Sequence, residues 1–140
     1  MRLLRTHAAL SRQLNAQLAT EHGLTVNDYE ALLLLGDAGE LGMRRTDLAQ
    51  SIQLTASGVT RLLEGLEAAG LVGKRECSED ARVVYAVITD AGRDKLGASS
   101  CTHVAAITEL FSQRFSEDEL AQLAELLGRL PGAPVACERV

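Results

Sequence analysis

Ser57, Thr60 and Arg61, with the small residues Ala56 and Gly58 among them, are the side chains of this sequence best suited to reading a nucleic acid. Hydroxyls and a guanidinium can hydrogen-bond to base edges or phosphates, and small neighbours let the backbone that carries them come close. Thr55, just ahead, has the residue type and position of a helix N-cap, so the group sits on the first turns of a helix. A second set is basic. Arg44 and Arg45 upstream, and Lys74, Arg75 and Arg82 downstream, can meet the phosphate backbone on either side of such a helix.

These residues need elements to hold them, and the apolar pattern supplies them. Val59, Leu62, Leu63 and Leu66 fall at i, i+3, i+4 and i+7, one stripe that a helix can bury while Ser57, Thr60 and Arg61 stay off it. A shorter helix from Arg44 to Ile52 brings Leu48, Ala49 and Ile52 beneath it. Gly70 suits the position just past the helix end, where φ is often positive. From Leu71 the period changes to two: Val83, Tyr85 and Val87 alternate with Val84, Ala86 and Ile88, and pair with Leu71 to Glu76 across the tip CSEDA. A helix-turn-helix with a β-hairpin attached is a winged helix, here spanning residues 41–89. Its helix N-terminus can enter the major groove of double-stranded DNA.

The run LEAAGLVGKRECSEDARVVYAVITDAG resembles the signature of the MarR family of bacterial transcriptional regulators. The family's L-x-x-x-G-L-(V/I)-x-(R/K) is matched by Leu66, Gly70, Leu71, Val72 and Lys74, its D-x-R by Asp80 and Arg82, and its T-x-x-G by Thr89 and Gly92. Spacing holds without a gap, and the flanking helices extend the resemblance over nearly the whole chain. It implies that Arg82 reaches the minor groove and that Asp80 braces the wing tip. It also implies a homodimer, and in many members release of DNA when a small, commonly aromatic acid binds between the dimer helices and the winged helix. Two departures stand in the wing: Ala81 and Cys77 occupy tip positions that are usually more polar or charged, and Lys74 stands where arginine is commoner.

At 140 residues the chain is long enough to bury a core, which with 3% aromatic content must be built from Leu, Val, Ile and Ala. The net charge is −5, an argument against a nucleic-acid partner until its distribution is read. Acidic residues are in excess at the two ends, whereas the stretch from Arg44 to Lys95 is balanced and carries most of its basic residues on the helix-turn-helix and wing. No apolar run approaches the roughly 20 residues of a membrane helix, and MRLLRTHAALSRQ lacks the apolar segment of a signal peptide, so a cytoplasmic protein is expected.

Leu3, His7, Leu10, Leu14 and Leu18 give the first helix an apolar stripe, and Thr25 with Asp28 forms a capping box for a second helix from about Val26 to Leu35. The glycines at 36, 39 and 42 read as a loop. Beyond the wing Thr89 caps a long helix that is apolar mainly toward its far end, at Val104, Ile107, Leu110, Phe111 and Phe115. Ser116 and Glu119 cap another with a strong leucine stripe that Pro131 stops, and residues 132–140 read as a mobile tail. The fold class expected is therefore mainly α: a single domain, 1–140, with a winged helix-turn-helix core and dimerisation helices at 1–35 and 90–131. These stripes exceed what one winged helix covers, and leaving them wet would forgo roughly 1.5–3 kcal/mol per large side chain, which is the argument for a homodimer.

Cys77, Cys101 and Cys137 are far apart with no C-x-x-C, and no histidine pair sits at i, i+4, so no metal or other cofactor is expected. Nothing resembles G-x-S-x-G or H-E-x-x-H, and no enzyme is expected either. The peroxide-sensing branch of the family uses a cysteine near the start of its first helix, and none is present there. Two other readings stay open beside a DNA-binding repressor or activator. One is a winged-helix protein-interaction module without DNA binding. The other keeps DNA binding but places the signal in oxidation of Cys77, the thiol beside Lys74 and Arg75.

Overall fold

The structure, a computed structural model, describes residues 1–76 and 83–130. Its elements in chain order are α1 (Arg2–His22), α2 (Val26–Ala38), a 3-10 turn (Gly39–Leu41), β1 (Met43–Arg44), α3 (Arg45–Ser51), α4 (Ala56–Ala68), β2 (Val72–Glu76), β3 (Val84–Ile88), α5 (Asp90–Ser112) and α6 (Glu117–Gly128). The chain divides into two compact units, one of residues 1–103 and one from Val104 onward.

The first unit is built on one apolar cluster. Leu32 and Leu35 of α2, Leu48 of α3, Val59 and Leu63 of α4, and Ala86 and Ile88 of β3 are buried together. The stripe expected of the recognition helix is the face that α4 buries: Val59, Leu63 and Leu66 are inaccessible and Leu62 packs at the edge. Helix starts follow local chemistry. The Thr25 hydroxyl accepts from the Asp28 N–H at 3.1 Å while the Asp28 carboxylate accepts from the Thr25 N–H at 2.8 Å, the reciprocal capping box. Thr89 caps α5 by accepting from the Gly92 N–H at 3.0 Å, and its hydroxyl donates to the Gly70 carbonyl at 2.7 Å.

β2 and β3 form the expected antiparallel hairpin, with Val72 opposite Ile88 and Glu76 opposite Val84. A third strand is added, formed by Met43 and by Arg44, which the sequence reading placed at the start of α3. Met43 and Arg44 pair with Ala86 and Tyr85, giving the order β1-β3-β2. This is possible because Gly42, at φ +66°, lies against β3 so closely that a Cβ there would sit 2.4 Å from the Ala86 carbonyl oxygen. The glycine string is thus partly structured. Gly36 lies inside α2, where the absent side chain leaves room for Leu96 of α5, whose Cδ2 would be 3.2 Å from a Cβ.

Between α3 and α4, Gln53 adopts φ +54°, the left-handed region, as a residue with a side chain. That conformation costs an L-residue roughly 1–2 kcal/mol, which glycine avoids at an entropic cost of roughly 0.5–1 kcal/mol. Gln53→Gly is therefore expected to raise stability by about 0.5–1 kcal/mol, read as the shift in urea midpoint at constant slope; a drop would mean that the side chain supplies compensating contacts.

A polar seam joins α1, α2 and α5. The His22 and Thr102 side chains lie 2.5 Å apart, Tyr29 and Ser100 hydroxyls 3.2 Å, and the Tyr29 and His103 rings 4.8 Å. Burial pushes the His103 imidazole below its ordinary range, and its Nδ1 has no hydrogen-bond partner among the described residues. Ser99, in a stretch read as weakly apolar, is fully buried because its hydroxyl folds back onto the Lys95 and Leu96 carbonyls. In α1 only Leu18 of the apolar stripe is buried, and Leu3 remains 57% exposed.

The second unit contains the end of α5 and α6. The Phe111 and Phe115 rings pack at 6.2 Å, and Ser116 with Glu119 forms the second capping box. Those bonds from the Ser116 N–H and hydroxyl hold the Glu119 carboxyl below the usual range. α6 buries none of its residues and leaves Leu126 and Leu127 open. Among the described residues no helix is long and apolar enough to cross a membrane.

Candidate nucleic-acid interface

The first turn of α4 is closed from below and open above. The Thr55 hydroxyl accepts from the Gly58 N–H at 3.1 Å, so Thr55 is the cap and its side chain is committed to the helix. Gly58 serves the same closure: a Cβ there would lie 3.2 Å from the Thr55 hydroxyl oxygen and 3.6 Å from Leu54 Cβ. Ser57 and Arg61 lie on the exposed side. The Ser57 hydroxyl is 3.2 Å from that of Thr55, and Arg61 has neither an ion pair nor a hydrogen bond among the described residues. The N–H groups left unpaired at this helix end carry a partial positive charge that favours phosphate nearby.

Thr60 is more constrained than its exposure in the sequence pattern suggests. Its hydroxyl donates to the Ala56 carbonyl at 2.9 Å and accepts from Arg45 Nη1 at 3.5 Å. A hydroxyl has one proton and two lone pairs, so one acceptor site is left. Thr60 in this state suits a donor such as the exocyclic amino group of adenine or cytosine rather than a keto oxygen. Arg45, read from sequence as a phosphate contact, spans α3 and α4 to reach it through one of its five donors.

The basic residues of the sheet are also engaged within the protein. Lys74 Nζ is 2.7 Å from Glu67 Oε2 of α4, an ion pair with the lysine side chain 55% exposed, so its stabilising effect is at most about 1 kcal/mol. Arg75 donates through Nη2 to the Leu41 carbonyl, and its guanidinium carbon stands 5.3 Å from the centre of the Tyr85 ring. Arg44, from the other neighbouring strand, stands 5.7 Å from the same ring. Both are within the range of cation–π attraction. Asp80, Arg82 and Cys77 lie outside the described residues.

The structure thus brings Thr55, Ser57, Gly58, Thr60 and Arg61 together on one helix start, with Arg45 joined to it, and gathers Arg44 and Arg75 about Tyr85. Sequence reasoning missed Tyr85, Glu67 and the Leu41 carbonyl. Alternation alone puts Tyr85 on the opposite face from Ala86 and Ile88. Its partners depend on hairpin register and on β1, which no local signal announces.

An open cleft of about 910 Å³ runs between α1, α2 and the α3–α4 turn, lined among others by His7, Arg12, Asn15, Glu30 and Gln53.

A family model described as MarR family matches residues 22–83. The transcriptional repressor YetL of Bacillus subtilis is 30% identical over 108 residues, covering 77% of this chain and 64% of YetL, so the chain spans a little under two thirds of that relative's length. Among solved structures, the transcriptional regulator AbsC from Streptomyces coelicolor is 32% identical with a TM-score of 0.74, covering 89% of this chain and 86% of AbsC. Sco3205 from the same organism, solved in complex with DNA, gives a TM-score of 0.83 at 25% identity over 90% of this chain and 79% of its own. Both are MarR family regulators. With the L-x-x-x-G-L-x-x-K run at the end of α4, the T-x-x-G lock at the start of α5 and a common framework across most of both chains, this protein belongs to the MarR family.

Proposed function

We propose that this protein is a sequence-specific DNA-binding transcriptional regulator, acting as a repressor in the bacterial cytoplasm. The observation that carries the reading is the start of α4, where Ser57 and Arg61 are exposed and Arg61 keeps all its donors among the described residues. A recognition helix presents its N-terminal side chains to the major groove in this way. Arg44 and Arg75 would meet phosphates beside it, and Arg82, by resemblance, the minor groove. The DNA complex of Sco3205 supports the same class of ligand.

Each unit leaves apolar side chains open. Leu3 and Leu4 of α1 are exposed in the first, and Val104, Phe115, Leu126 and Leu127 in the second. A second copy of the chain would cover them, at roughly 1.5–3 kcal/mol for each large side chain fully buried. A two-fold dimer calls for a pseudo-palindromic operator with half-sites about one helical turn, roughly 10 bp, apart. The α1–α2 cleft, with Arg12 at its wall, suits a small organic acid whose binding alters how the winged helix is held.

Selection of bound duplexes from a random-sequence pool at two salt concentrations tests the reading. Recovery of an inverted repeat with one-turn spacing is the expected result. With dimer confirmed by sedimentation, failure to enrich any sequence at either salt would sink it and favour a protein-interaction module.

A further inference from the structure

The three-stranded sheet carries a row of side chains that the helix-turn-helix does not explain. Arg44 of β1 and Arg75 of β2 are both directly opposite Tyr85 of the central strand β3. Residues directly opposite on antiparallel strands share a face, so the three point the same way. Val72, Ala86 and Ile88 fill the other face and are buried, which puts the row on the outer side of the sheet. The two guanidinium carbons lie 5.7 and 5.3 Å from one ring centre, hence within about 11 Å of each other.

Two like charges this close repel, and an aromatic ring between their strands offsets that repulsion through its negative face. Arginine also loses much rotamer freedom when it binds a phosphate. Guanidiniums already held by a ring, and in the case of Arg75 by the Leu41 carbonyl as well, have lost part of it beforehand. Holding a guanidinium over a ring leaves its in-plane N–H groups able to donate. Arg75 spends one set on Leu41 and pairs with no carboxylate among the described residues.

We propose that Tyr85 is a positioning residue for DNA binding: it holds Arg44 and Arg75 as a preformed clamp for two backbone phosphates beside the groove that the wing enters. The proposal rests on the DNA-binding reading above. It differs from a structural role for Tyr85 in what it says about salt. Each phosphate contact contributes about 0.9 to the slope of log affinity against log salt concentration. Loss of a clamp that orders two contacts makes that slope shallower, while sequence preference, carried by α4, stays as it was.

The experiment measures operator affinity of the full chain by fluorescence anisotropy across a salt series, for wild type, Tyr85→Phe and Tyr85→Val, with melting curves run alongside. Tyr85→Leu replaces the valine variant if that one melts below the assay temperature. Tyr85→Phe, which keeps the ring, is expected to match wild type. Tyr85→Val is expected to bind roughly 5- to 30-fold more weakly at low salt, with a slope reduced by about 1–2 for each half-site and convergence on wild type at high salt. In an Arg44→Ala/Arg75→Ala background the valine substitution should change the slope no further, since the residues it acts through are gone. A wild-type slope in folded Tyr85→Val, or a loss equal at all salt concentrations, overturns the clamp and leaves the DNA-binding reading standing. Absence of operator binding by wild type overturns both.

Discussion

Gly92→Ala is expected to cost about 3 kcal/mol of stability, a drop of roughly 10 °C in melting temperature, although it adds a single methyl group to a helix. A Cβ at Gly92 would lie 2.1 Å from the Leu71 carbonyl oxygen and 2.8 Å from Ile88 Cγ1. The first is a backbone atom that cannot swing aside, because it accepts from the Thr89 N–H at 3.1 Å. Relief requires moving the start of α5 away from the β2 entry, which loosens the Thr89 bonds to Gly70 and Gly92 together. Overpacking usually costs 1–3 kcal/mol, and a lost buried hydrogen bond adds about 1 more. Gly65→Ala is the control. Nothing lies within 4 Å of a Cβ at that exposed helical position, so alanine should leave stability unchanged or raise it by up to about 1 kcal/mol. Chemical unfolding of the two variants beside wild type reads both signs. Equal midpoints for Gly92→Ala and wild type would show that α5 enters the sheet by some other geometry.

That lock also shows what a sequence can disclose. Thr55, Thr89, and the pairs Thr25 with Asp28 and Ser116 with Glu119 were legible because a cap is satisfied within three or four residues of itself. The α4 stripe and the hairpin were legible because burial of one face imposes a period. β1 was not, since two residues cannot display alternation, and its position depends on Gly42 nesting against β3. Nor could the extent of α2 be read, because the room that Gly36 leaves is filled by Leu96, far along the chain. The candidate site divides in the same way. Arg61 was identified by residue type and helical phase. The contact of Arg45 with Thr60, of Lys74 with Glu67, and of Arg44 and Arg75 with Tyr85 depends on which elements meet, so the basic residues were visible and their engagements were not.

Those engagements separate Arg61 from Arg44, Arg45, Lys74 and Arg75, and Arg61→Ala is accordingly expected to have the largest effect on recognition. Arg61 is exposed and holds no partner among the described residues, so truncating it should change folding stability by no more than about 0.5 kcal/mol. A bidentate contact from arginine to a guanine edge is worth about 1–3 kcal/mol of discrimination, so each half-site should lose roughly 5- to 150-fold in affinity for its preferred base. The loss should vanish when that base pair is changed, because the variant no longer distinguishes it. Removing Arg44 should instead weaken binding to all sequences alike and flatten the salt dependence. Binding of wild type and Arg61→Ala to a panel of operators substituted one base pair at a time separates the two patterns. If Arg61→Ala lowered affinity uniformly across the panel, Arg61 would be a backbone contact. Base reading would then fall to Ser57 and to Thr60, whose remaining acceptor site would have to carry the choice between amino and keto edges.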